Sequence, residues 1–132
     1  LGKTTELREK DVAALTLLSS TLRMELRFGI FHPFLMTHPL FRLWNMLDST
    51  MVQRLCEESI FFLFLRTKDD LFVPATKAHS AYYVASGTLH YYHDPESIGK
   101  DEAATMEVVE QGRWMCEAAL WTDWVHVGRA EA

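Results

Sequence analysis

The spacing of apolar residues changes character at Glu58, and this change restricts the chain to folds that place helices before strands. Upstream, Leu7, Ala14, Leu15, Leu18, Leu22 and Leu26 recur at offsets of three, four and seven, with Glu6, Glu9, Lys10, Arg23 and Arg27 on other faces. Downstream, Ile60–Arg66 is a continuous apolar run of strand length, and Leu71-Phe72-Val73 is a second run closed by Pro74. The chain of 132 residues, 48% hydrophobic, is long enough for an ordinary core, so the expected class is α+β.

Local signals divide the helical part. Ser19-Ser20-Thr21 predicts the cap of a new helix carrying Leu22 and Leu26, and His32-Pro33 predicts its end. Pro39, after Thr37-His38, suits the first position of another helix. Asp48-Ser49 predicts the cap of a further helix that turns Met51, Val52, Leu55 and Cys56 inward. In the second part, strands are expected over 81–86 and 88–93, turning at Ser86-Gly87, with Tyr82, Val84, Leu89 and Tyr91 as alternating positions. A polar excursion follows over 94–102, and Met106–Glu110 and Val125–Ala130 supply further strands of a sandwich or small barrel.

Charge and motif content exclude several function classes. Residues 1–68 carry nine Lys or Arg against seven Asp or Glu, whereas 69–132 carry four against eleven. No basic stripe exists to displace counterions from phosphates, so nucleic acid is not an expected partner. An anion held by the second part must rely on placed backbone N–H groups and individual cations, because the surrounding charge opposes it. Sequence signatures of a serine nucleophile elbow, a nucleotide-binding glycine loop or a zinc-protease helix are absent, and the chain is not expected to be an enzyme. The histidines are dispersed; His90 and His93, three apart in a strand, point to opposite faces, and no metal site is expected. Cys56 and Cys116 come from distant segments and read as packed free thiols of a reducing compartment. The longest apolar run is far below the roughly 20 residues that span a bilayer. The missing initiator Met, and an end at Arg129-Ala130-Glu131-Ala132 that reads as mid-strand, predict a segment of a longer protein.

One stretch carries a specific pattern. Gly112-Arg113-Trp114-Met115-Cys116-Glu117-Ala118-Ala119-Leu120 resembles, without a gap, the phosphate-binding cassette of cyclic nucleotide-binding domains, G-D-x-F-G-E-[LI]-A-L. Upstream, Asp70-Leu71-Phe72-Val73, Ala75-Thr76-Lys77-Ala78 and Tyr82-Tyr83-Val84-Ala85-Ser86-Gly87-Thr88-Leu89 are similar to a second motif of that family. There Ala75 replaces the first Gly, while Gly87 keeps its place twelve residues later. Leu22-Arg23-Met24-Glu25, with Phe41 of Pro39-Leu40-Phe41 nineteen residues after Leu22, resembles the linker joining a voltage-gated-type channel pore to its cyclic nucleotide-binding domain.

The resemblance implies a helical linker over 1–40 and a cyclic nucleotide-binding-like antiparallel β-roll, or jelly roll, over 41–132, lacking the C-terminal helices that close over a base. It implies a regulatory module on the cytoplasmic side of a membrane-embedded cation channel. Its partners would be the pore region of the same parent chain, cAMP or cGMP, and a homo-oligomer formed through the N-terminal helices. Alternatives are a ligand-free docking or assembly module and the regulatory part of a soluble kinase system. By the same resemblance, the amides of Ala118 and Ala119 would face the cyclic phosphate and Glu117 would accept from the ribose 2′-OH, or else cap the short helix after it. Cys116 stands where the family has a Gly with φ > 0. The phosphate-pairing Arg is nine residues past the Glu in the family, which falls on His126; Arg129 reaches that role only across three inserted residues. Trp121 and Trp124 either fill the pocket or pack as core.

Overall fold

The computed structural model describes residues 18–94 and 105–132. Among these it contains three α-helices, an antiparallel sheet of four strands and a second sheet of two, so the class is α+β. The chain divides into two compact units, Leu1–Leu63 and Phe64–Ala132.

In the first unit, α1 spans Ser20–Leu35, α2 Pro39–Leu47 and α3 Ser49–Glu58. Each begins on the cap that the sequence indicated. The Ser19 hydroxyl accepts from the Leu22 N–H at 3.3 Å, and Asp48 Oδ1 accepts from Thr50 and Met51 at 3.1 and 3.2 Å. Before α2, His38 Nδ1 accepts from the Leu40 N–H at 3.1 Å, so an imidazole takes the place of the usual small polar cap. Both α1 and α2 pack on α3. The buried side chains are Phe31 and Leu35 from α1, Phe41 from α2, and Val52 and Cys56 from α3.

Three expectations for this part of the chain are corrected. Helix α1 does not end at His32-Pro33 but runs through Pro33 to Leu35, because a proline this close to the end removes one hydrogen bond and only two helical residues follow it. Leu22, Leu26 and Met51 are exposed, and the side chains that α1 buries are Phe31 and Leu35. Ile60–Arg66 is not a strand: among the described residues no other segment pairs with it, and Phe62 instead lies against Phe31 with ring centroids 5.0 Å apart. The Arg27 guanidinium ties that segment to the helices, donating to the Glu57 and Ile60 carbonyls and lying over the Phe31 and Phe61 rings. Contacts thus hold α2, α3 and the start of the run after them with α1.

The second unit has β1 at Asp70–Phe72, β2 at Tyr82–Tyr83, β3 at Thr88–His93, β4 at Met106–Glu110, β5 at Trp114–Met115 and β6 at Gly128–Glu131. The large sheet runs β1-β6-β3-β4, and β2 pairs with β5. Segments 81–86 and 125–130 thus form shorter strands than their patterns suggested, while Val125 makes an isolated bridge with Lys77. Register places Tyr91 of β3 opposite Glu107 of β4 and Ala130 of β6, and Ala130 also pairs with Phe72 of β1. Ala130 is fully buried at this crossing. The Phe72 ring lies 6.2 Å from Tyr91, 6.1 Å from Tyr82 and 3.9 Å from the imidazole of His126. The polar excursion expected over 94–102 lies, apart from Asp94, outside the described residues, as do Leu7, Ala14 and Leu15.

Candidate functional site

The aromatic face of the large sheet opens into a cavity of about 320 Å³. Phe72, Tyr91, Glu107 and Val109 line it from the sheet. Opposite stand Arg113, Trp114, Met115, Cys116, Glu117 and Ala118, with Trp124, His126 and Val127 closing the remainder. Most of the segment that resembles a phosphate-binding cassette therefore forms one wall.

Its backbone explains why. The N–H of Gly112 donates to Val84 at 2.8 Å and the Val84 N–H donates to Arg113 at 3.0 Å, fixing the start of the segment beside β2. Gly112 has φ +88°, Cys116 has φ +58° and ψ +30°, and residues 117–120 wind into a 3-10 turn. Elsewhere in this unit, Ala75 has φ +60° and Gly87 φ +82°. The four positions at which the resembled patterns have glycine thus fall on left-handed backbone, with Cys116 and Ala75 standing at two of them. A β-carbon in this region costs about 1–2 kcal/mol, so the turns are held by their surroundings and not by local preference.

His126 is 5% exposed and clamped by its own main chain. Its N–H donates to Thr76 and its carbonyl accepts from Ala75, both at 2.9 Å, so the turn at Ala75 fixes its position. The ring stacks on Phe72 at an interplanar angle of 6°, and Nδ1 lies 3.6 Å from Cys116 Sγ. Burial, with His79 nearby, holds the imidazole below its usual range. Burial pushes the Cys116 thiol up to about 11. Both shifts favour the uncharged forms.

Arg129 is elsewhere. Along β6 it alternates with buried Gly128 and Ala130, so its side chain leaves the opposite face from the one that meets Phe72 and Tyr91. It is bound there by Asp70 at 2.6 Å and Glu131 at 2.5 Å. Of the residues singled out in the sequence, Cys116, Glu117, Ala118 and His126 share the cavity, whereas Ala119 and Arg129 do not line it. The Ala119 N–H is spent on the Cys116 carbonyl at 3.0 Å. The two tryptophans separate: Trp124 lines the cavity, while Trp121 is 60% exposed.

Sequence reasoning did not single out Arg113, Glu107 or Tyr91 as site residues. Alternation along β3 already paired Tyr91 with Leu89, but placing Glu107 opposite Tyr91 required the register. Among the described residues, no group of three or more His, Cys, Asp or Glu side chains is arranged to hold a metal, and no helix is long and apolar enough to cross a membrane. No family model matches the chain, and no curated protein matches it.

Proposed function

We propose that this chain is a cyclic nucleotide-binding-like regulatory module whose second unit is a jelly-roll β-roll and whose cavity is a reduced ligand pocket. The observation that carries the reading is the left-handed backbone at Gly112 and Cys116, Ala75 and Gly87, four positions where the family pattern has glycine. Two motifs from separate segments require an unusual conformation at these places, and two residues that dislike it adopt it.

In this reading the module sits on the cytoplasmic side of a cation channel in the parent protein. Occupancy of the pocket by cAMP or cGMP biases two arrangements of the helical unit, which requires the ligand to bind them with different affinity. The apolar side chains that α2 leaves exposed, Leu43, Met46 and Leu47, would be the surface offered to the rest of the channel or to a second copy. Affinity is low, because Arg129 is committed to Asp70 and Glu131 and His126 is held neutral. Losing a charge-assisted hydrogen bond to phosphate costs about 1.5–3 kcal/mol, or roughly ten- to 150-fold in affinity.

A second reading, a ligand-free docking module, is favoured by the Ala119 N–H being satisfied inside its own turn. Calorimetric titration with cAMP and cGMP separates the two. The pocket reading expects weak, saturable binding; no binding supports the docking module, and sub-micromolar binding contradicts a reduced site.

A further inference from the structure

The cavity's charge balance identifies one residue that the family pattern does not supply. Among the described residues, Arg113 is the one Lys or Arg that lines it, against two carboxylates, Glu107 and Glu117. Two other described cations of this unit are engaged: Lys77 pairs with Asp123 at 2.8 Å, and Arg129 with Asp70 and Glu131. His126 is buried and held toward its neutral form. The Arg113 side chain makes no ion pair or hydrogen bond among the described residues. Its main chain, in contrast, is fixed, since its carbonyl accepts from Val84 and the preceding Gly112 N–H donates back to Val84.

A guanidinium on a fixed backbone, free at its tip and facing an acidic cavity, is placed to receive an anion. The rotamer entropy of one side chain and the carboxylates of Glu107 and Glu117 oppose the contact, and the planar fork can offset them by meeting two phosphate oxygens at once. The family pattern has Asp at this position, so the chain has exchanged a negative for a positive charge beside the pocket from which Arg129 is absent.

We propose that Arg113 is the phosphate-recognising cation of this cavity, taking over from an arginine beyond Glu117. The inference rests on the cavity being a nucleotide pocket, and it names what selects the phosphate there.

The test is titration of the chain and its variants with cAMP and with adenosine, which keeps base and ribose but has no charge. Arg113→Ala should weaken cAMP about tenfold and leave adenosine unchanged, and Arg113→Lys should restore part of the loss. The difference between the two ligands should shrink as salt rises, because Arg113 is exposed. Unchanged cAMP affinity in Arg113→Ala, with loss in His126→Ala or Arg129→Ala, would overturn the assignment and leave the pocket standing. Equal affinity of the parent for cAMP and adenosine would also overturn it. No binding of either ligand by any protein would overturn the pocket and this assignment together.

Discussion

Cys116 and His126 show how a single backbone conformation sets the chemistry of the cavity. Cys116 adopts φ +58° and its thiol meets a buried imidazole. Replacing it with Gly removes the strain of a β-carbon, about 1–2 kcal/mol, and loses a small apolar contact of similar worth. Cys116→Gly should therefore unfold within about 1 kcal/mol of the parent in urea and bind cAMP more tightly. Cys116→Val should be destabilised, since a β-branched residue is worse in this region. The imidazole makes a second prediction. Its folded pKa lies below the unfolded value near 6.5, so the unfolded chain binds more protons as the medium becomes acidic. The stability that neutral His126 contributes is complete above about pH 6.5 and disappears as pH falls through the folded pKa. Urea midpoints measured from about pH 7 to pH 5 should fall less steeply in His126→Phe than in the parent; equal slopes would show that another group sets the acid sensitivity. Counting from Glu117 pointed to His126 as the cavity residue, because the count needs no knowledge of pairing. That Arg129 stays outside the cavity was not legible, since it depends on its meeting Asp70 59 residues away.

At the scale of elements, caps were legible and strand partners were not. Ser19, His38-Pro39 and Asp48 act on N–H groups two or three residues away, so their role is written locally. Ile60–Arg66 has the composition of a strand, yet a strand exists only where another segment completes its hydrogen bonds, and here Arg27 and Phe31 engage the run instead. Gly128, at the start of β6, shows the same dependence on tertiary context. A β-carbon there would lie 2.5 Å from the Tyr91 ring and from the Tyr92 carbonyl, and the latter cannot turn away. Gly128→Ala should cost about 1–3 kcal/mol and shift the Tyr91 resonances, because the cavity wall moves with it. Unaltered stability in thermal unfolding would mean that β3 and β6 are farther apart than this register allows. Ala75→Gly should act in the opposite direction: at φ +60° the loss of strain exceeds the added chain entropy, and a gain of up to about 1 kcal/mol is expected.

For the whole molecule, the division into helical and β units, the acidic second half and the cavity all bear on one claim: the face of Phe72, Tyr91 and the Gly112–Ala118 segment is a reduced nucleotide pocket. Seven net negative charges over 69–132 oppose an anion at long range, so binding must come from short-range contacts and should be weak. The most direct measurement follows backbone amide resonances of the chain during titration with cAMP. The expected result is progressive shifts at Gly112–Ala118 and at 124–127, saturating only above micromolar ligand, with smaller shifts for adenosine. Resonances of Cys116, Glu117 and His126 that stay in place at saturating cAMP, or shifts confined to β1 and β6 around Arg129, would contradict it.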